Sequence, residues 1–176
     1  MNIYDTIFAT EPKYNGASRY KLRIVLDYVK RNKFNEVLDV GSGRGHYLKL
    51  LSVNGIKAIG LEPSKYICRN LTEFKIVNDD ILGFSRYSKK WKVLICMDVL
   101  EHITPSKIEE NIKTLSVLSN HAILGIANHS EVWHGRQLHL IQEGQFWWKD
   151  KLSKYYAVVN LVFESDRFFI FEVQSK

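Results

Sequence analysis

Residues 37–48 read VLDVGSGRGHYL. An acid, Asp39, and three glycines, Gly41, Gly43 and Gly45, fall within seven residues, behind the apolar run Glu36–Val40. A helical pattern carried by Tyr47, Leu48, Leu50 and Leu51 follows and stops near Asn54-Gly55. Glycine has no Cβ and takes positive φ readily, so such a turn lets backbone N–H groups come close to a ligand.

Working outward, strands alternate with helices. Ser18 is placed to cap a helix carrying Leu22, Val25, Leu26 and Val29 at i, i+3, i+4, i+7. Downstream of the glycine turn come a strand over Lys57–Leu61 ending at Glu62, a short helix from Ser64, and a strand near Lys75–Val77. Trp91–Met97 is almost continuously apolar, as a strand covered on both faces should be. Thr104-Pro105 is read as a capped helix start with Pro in the first turn, and Ile108, Ile112 and Leu115 keep the helical period. A strand over His121–Ala127, a polar aromatic loop, a helix over Gln145–Tyr156 and two strands, Ala157–Phe163 and Arg167–Val173, complete the chain. Ser165-Asp166 between the last two signals a tight turn. The expectation is a doubly wound α/β fold: a three-layer, Rossmann-like, mostly parallel sheet with an antiparallel C-terminal hairpin.

The glycine spacing selects among cofactors. A phosphate-cradling loop would end in Gly-Lys-Ser/Thr, which is absent. A nicotinamide-type G-x-G-x-x-G would need glycine where His46 stands. The pattern present is D-x-G-x-G-x-G. An acid at the strand end is awkward beside a pyrophosphate and favourable beside a cationic amino acid, so charge complementarity points to S-adenosylmethionine. Glu62 ends the second strand about twenty residues on, where a carboxylate can accept both ribose hydroxyls. Asn78-Asp79-Asp80-Ile81 follows the third strand and Asp98 the fourth, all at the carboxyl ends of strands, where open α/β sheets bind ligands.

VLDVGSGRG, IGLEPS, VNDDI and CMDVLEHI together resemble the successive motifs of the class I S-adenosylmethionine-dependent methyltransferases. The resemblance runs from about Phe34 to His102 and implies a seven-stranded sheet whose last strand is antiparallel. It further implies that Asp39, Gly41, Ser42, Gly43 and Gly45 hold the methionine part and that Glu62, followed by Pro63, meets the ribose. Asp80 and the Ile81 backbone would face the adenine, with Asp79 the neighbouring option, and Met97 and Asp98 would flank the sulfonium. The residues before the first helix would fold over the cofactor as a lid, with Tyr14 beside Gly16 a contact. The product would be S-adenosylhomocysteine.

For the acceptor, the absence of Asn/Asp-Pro-Pro-Tyr/Phe after the fourth strand argues against amino methylation of DNA bases. The Glu101-His102 segment resembles small-molecule methyltransferases of the ubiquinone-biosynthesis type, so a small-molecule or sugar-containing acceptor methylated on O or N is expected. An RNA acceptor is the alternative, suggested by the basic balance and by a metal set: Asp98, Glu101 and His102 at i, i+3 and i+4 would share a helical face and ligate a divalent ion. A catalytically silent cofactor-binding module is the third reading. His139, then His134 and His102, are the candidate general bases, since imidazole titrates near neutral pH. His129, Trp133, His134, Arg136 and His139 crowd the loop after the fifth strand.

The 176 residues suit one methyltransferase domain, 1–176, with 1–20 as the possible lid and 21–176 as the core. A net charge of +6 is spread along the chain and marks a solvated basic surface. Cys68 and Cys96 sit in apolar settings without metal-type spacing. With no signal-peptide pattern at the start and no apolar run of roughly 18 residues, a cytoplasmic location with no membrane attachment is expected.

Overall fold

The computed structural model describes residues 3–14, 18–86 and 89–176; Gly16, in the expected lid, lies outside them. Two compact units divide the chain, Met1–Tyr87 and Ser88–Lys176.

The first unit opens with a helix the sequence reading did not expect, α1 (Ile3–Thr10), which buries Ile7 and Phe8. Ser18 caps α2 (Arg19–Arg31) as expected, its side chain accepting from the Lys21 N–H at 3.2 Å. The apolar stripe of α2 buries Val25, Tyr28 and Val29. Strand β1 (Glu36–Val40), helix α3 (His46–Val53) and strand β2 (Lys57–Leu61) follow. Gly55, at φ +73°, supplies the left-handed turn that ends α3. Ser64 caps α4 (Lys65–Asn70), β3 is the short pair Ile76–Val77, and Asp80 caps α5 (Ile81–Phe84). The three strands are parallel in the order β3-β2-β1, with Asp39 opposite Gly60.

In the second unit, β4 (Trp91–Met97) and β5 (Ser119–Ala127) pair in parallel. Val93, Leu94, Ile95 and Cys96 are each 0% exposed, which is why the run is apolar without alternation. Between them, Thr104 does not cap with its side chain: Pro105–Lys107 form a single 3-10 turn before α6 (Ile108–Leu118). Pro105 fixes φ and donates no N–H, so it is tolerated in that first turn. Ile108, Ile112 and Leu115 are buried as their spacing requires.

A small hairpin, β6 (Val132–Trp133) and β7 (Arg136–Gln137), interrupts the loop after β5. Its two turn residues, His134 and Gly135, have φ +45° and +75°, the two positive values of a type I′ turn. Helix α7 (Gln145–Ser153) buries Trp148 and Leu152, so Trp148 is core and not a ligand platform. Strands β8 (Tyr156–Glu164) and β9 (Phe168–Ser175) form the expected antiparallel hairpin. The unit's strand order is β4-β5-β9-β8, with β9 antiparallel to β5. Mostly parallel strands alternating with helices, closed by an antiparallel terminal hairpin, give the α/β, Rossmann-like class. Among the described residues no helix is long and apolar enough to cross a membrane.

Candidate functional site

In the first unit the chain leaves β1 through a turn pinned to its neighbour strand. The Gly41 and Ser42 N–H groups both donate to the Leu61 carbonyl, at 2.8 and 3.2 Å. Gly41, Gly43 and Gly45 have φ of +70°, +47° and +72°, so all three glycines occupy the left-handed region that side chains resist. At Gly45 a Cβ would also stand 2.7 Å from Leu71 Cδ2.

Two carboxylates lie behind this turn. Asp39 is 1% exposed and its Oδ2 has no hydrogen-bond partner among the described residues. Burial, reinforced by the nearby Glu62 charge, pushes its pKa up to about 8. Glu62 is 4% exposed, and backbone N–H groups grip both of its oxygens: Gly43 donates to Oε2 at 2.9 Å and Ser64 to Oε1 at 2.8 Å. Burial raises its pKa, while those two N–H groups work in the opposite direction. Each Glu62 oxygen is thereby fixed in direction and retains a lone pair for a further donor. Pro63 follows, exposed, at the start of the turn into α4.

The paired acids after β3 have separate structural roles. Asp80 is exposed and accepts from the Gly83 N–H at 2.7 Å, capping α5. Asp79 is half-buried, accepts from the Asp80 N–H at 3.0 Å and pairs with Arg86. Ile81 is buried.

Sequence reasoning missed Arg44. From the middle of the glycine turn its guanidinium donates to three carbonyls: Phe8 at 2.9 Å, Glu11 at 2.8 Å and Tyr14 at 3.0 Å. It also lies over the Phe8 ring, 5.3 Å from the centroid. The C-terminal carbonyls of α1 thus receive a cation where the helix dipole favours one. At the other end, Asp5 accepts from Ser64 Oγ at 2.8 Å and from the Tyr66 N–H at 2.9 Å. The Tyr66 N–H is the main cause of the lowered Asp5 pKa. Residues 3–14 are therefore tied both to the glycine turn and to the segment after Glu62. Tyr14 contributes through its carbonyl, its ring packing on Phe8 at 5.6 Å. The available signal was a lone arginine inside a glycine turn.

In the second unit, Met97 closes β4 and is buried against Gly125, where a Cβ would stand 2.3 Å from the methionine methyl. Asp98 takes φ +57° and donates its N–H to the Gly125 carbonyl at 2.8 Å. This left-handed residue, followed by a single 3-10 turn at Leu100–His102, replaces the expected helix. Asp98, Glu101 and His102 accordingly do not share a helical face, a correction to that spacing argument. The chain instead brings Glu101 and His102 to His139, one ligand atom of each lying within 4.8 Å of the others.

Glu101 is 0% exposed; its Oε1 accepts from the Ala127 N–H at 2.8 Å, and Oε2 has no hydrogen-bond partner among the described residues. Burial, then the Asp98 charge, pushes its pKa up to about 8. His102 Nδ1 lies 3.1 Å from the Leu138 carbonyl, and burial followed by the neighbouring His139 pulls its pKa down to about 4. His139 is buried, with Nδ1 2.6 Å from the His129 carbonyl and Nε2 3.2 Å from Glu131 Oε2. Burial opposes its protonation, but Glu131, the His129 carbonyl and Glu101 together outweigh that and raise its pKa. His134 sits exposed at the β6–β7 turn, edge-on to Trp133 at 4.4 Å between ring centroids.

Comparison with known proteins bears on both units. Over 127 residues the chain is 28% identical to an uncharacterized methyltransferase of Alkaliphilus oremlandii (strain OhILAs), a match covering 68% of this chain and 57% of that relative. Among solved structures it resembles magnesium protoporphyrin IX methyltransferase (ChlM) from Synechocystis PCC 6803 with bound SAM. That TM-score is 0.70 at 16% identity, covering 99% of this chain and 96% of the other. It also resembles the Burkholderia thailandensis 1,6-didemethyltoxoflavin-N1-methyltransferase, TM-score 0.71 at 12% identity, covering 99% and 85% of the two chains. At such identities the two structures share the fold. A family model described as a methyltransferase domain matches residues 14–157, and the chain belongs to that methyltransferase family.

Proposed function

We propose that the chain transfers a methyl group from S-adenosylmethionine to an oxygen or nitrogen of a small-molecule or sugar-containing acceptor. One observation carries the cofactor assignment: the buried carboxylate of Asp39, whose Oδ2 has no hydrogen-bond partner among the described residues, behind three left-handed glycines. A buried acid in that state is stabilised by an arriving cation, and the cofactor presents an ammonium and a sulfonium. In this reading the backbone of Gly41, Ser42, Gly43 and Gly45 approaches the methionine part and Glu62 accepts from the ribose hydroxyls. Asp79, Asp80 and Ile81 border the adenine. Met97 and Asp98, at the end of β4, are the proposed contacts near the sulfonium, and Tyr14, tied to Arg44, is the proposed contact from the N-terminal segment.

When bound, the cofactor would supply its sulfonium methyl to the acceptor's lone pair by in-line displacement, the carbon–sulfur electron pair remaining with S-adenosylhomocysteine. The enzyme's share is to position the nucleophile about 3 Å from the methyl carbon and to take its proton where it carries one. Of the three imidazoles expected to act as base, His139 has both ring nitrogens engaged, and His102 packs against it at 4.7 Å between ring centroids. His134, whose ring makes no hydrogen bond among the described residues, is the proposed base. A small-molecule acceptor draws support from the porphyrin and toxoflavin enzymes that share the fold.

The test is incubation with methyl-labelled S-adenosylmethionine and a cell extract, followed by separation of acid-soluble from acid-precipitable label. Soluble label supports the proposal. Precipitable label removed by ribonuclease would replace it with an RNA acceptor, and cofactor binding without any transfer would indicate a silent module.

A further inference from the structure

We infer that the free edge of β8 pairs antiparallel with the same strand of a second copy of the chain, about a two-fold axis at Asn160, so that the chain forms a homodimer through its second unit. This goes beyond the proposed methyl transfer and does not depend on it.

Strand β8 (Tyr156–Glu164) ends the strand order of its unit, β4-β5-β9-β8, and among the described residues it pairs with β9 alone. Successive residues of a strand turn their N–H and C=O groups to opposite sides, so about half of those in β8 point away from β9. Such an edge is a template for another strand, and natural edges are usually kept short or carry lysine or proline. β8 is nine residues long, YAVVNLVFE, with no lysine, arginine or proline. Its register shifts against β9 fall between Tyr156 and Val158 and between Leu161 and Phe163, which leaves Val158–Leu161 regular. From Val158 to Glu164 exposure alternates: Val158, Asn160, Val162 and Glu164 are exposed, and Val159, Leu161 and Phe163 are half-buried. The exposed face therefore carries a valine on either side of one asparagine, Val158 being 39% and Val162 43% exposed. Phe146, 79% exposed, stands at the start of α7, which the Gln145 side chain ties to the end of β8 by donating to Glu164 Oε2 at 2.7 Å. Apolar side chains gathered beside an unpaired edge mark an association surface.

Charge and symmetry choose a second copy as the occupant. The residues leading into β8 carry Lys149, Lys151 and Lys154 against Asp150, and its far end carries Glu164 and Asp166 against Arg167. Antiparallel pairing of two identical strands lays each net-basic end beside the partner's net-acidic end, whereas parallel pairing sets like ends together. A two-fold axis makes the contact self-complementary, each pair of residues occurring twice. Centred on Asn160, it sets Val158 against the partner's Val162 and Glu164 against the partner's Tyr156, so no like charges meet along the strand. The two Asn160 amides face each other across the axis, each offering a donor and an acceptor. Lys154 then falls opposite the partner's Asp166, and both are exposed.

Sedimentation velocity of the purified chain from about 1 to 200 µM tests the pairing, the range being set by the weak association of small interfaces. The expectation is a monomer–dimer equilibrium within it. Val158→Lys and Val162→Lys should each weaken the dimer at least about 10-fold with circular dichroism unchanged, because a lysine on an edge strand resists pairing. Should one of them fail to fold, the other carries the test. Asn160→Cys, opposite itself across the axis, should form an intermolecular disulfide under mild oxidation. Wild type, whose Cys68 is half-buried and Cys96 buried, should not. A chain that stays monomeric at every concentration overturns the inference and leaves the edge to a strand of a different partner. A dimer that both lysine variants leave intact overturns it by placing the interface elsewhere, and Asn160→Cys dimers that stay unlinked overturn the register. None of these readouts involves methyl transfer, so they stand or fall separately from the proposed activity.

Discussion

Asp39→Asn changes one atom of a fully buried side chain and should alter both the pH dependence of stability and cofactor binding. In the folded chain the Asp39 pKa is about 8 against an ordinary value of 3.8. Between those values the folded state holds a proton that the unfolded state has lost. Stability therefore falls as pH rises through this window, by about 1.4 kcal/mol per pH unit from this group. From pH 5 to pH 7 the loss is about 2.7 kcal/mol. Glu62, also raised by burial, acts in the same direction. Asparagine does not titrate, so the variant should gain on wild type by about that amount over the same interval in urea denaturation. A bound ammonium reverses the preference by favouring the carboxylate. S-adenosylmethionine should then bind wild type with release of about one proton, its affinity rising up to about tenfold per pH unit from pH 5 to 7. Its own amine, titrating near 7.7–8.0, stays charged over that range. Calorimetry in two buffers of different ionisation enthalpy counts the proton. Parallel stability curves for wild type and Asp39→Asn, with an affinity flat in pH, would refute the reasoning.

Three further expectations follow from the first unit. Arg44→Ala removes donors from the Phe8, Glu11 and Tyr14 carbonyls and should cost about 2 kcal/mol, with faster proteolytic cleavage before residue 18. Gly55→Ala should cost about 1–2 kcal/mol, because its φ is +73° but nothing lies within 4 Å of the added methyl. Gly45→Ala, at the same φ with Leu71 Cδ2 2.7 Å away, should cost about 1–3 kcal/mol more by chemical denaturation.

The helices and strands that the sequence announced are those whose signals are local. The continuous apolar run of β4, the Ser18 and Ser64 caps and the Ser165-Asp166 turn each act within a few residues, and each formed where expected. Helix α1 escaped because Asp5 and Arg44 hold it in place through partners 59 and 36 residues away. The β6–β7 hairpin escaped because its turn uses His134-Gly135, a much weaker type I′ signal than Asn-Gly. The glycine turn was legible because positive-φ glycines behind a strand end act locally, and it formed where expected, with Asp39 and Glu62 buried behind it. The grouping of Glu101, His102 and His139 was not: spacing alone favoured Asp98, and only the left-handed backbone at Asp98 and the return of residues 138–141 choose His139.

Equilibrium dialysis of the chain against labelled S-adenosylmethionine tests the central claim most directly. The account predicts one bound cofactor per chain in wild type, a large loss of affinity in Asp39→Ala and Glu62→Ala, and unaltered binding in Glu109→Gln, a surface control. Wild type that binds no cofactor, or Asp39→Ala and Glu62→Ala variants that bind it as tightly as wild type, would contradict it.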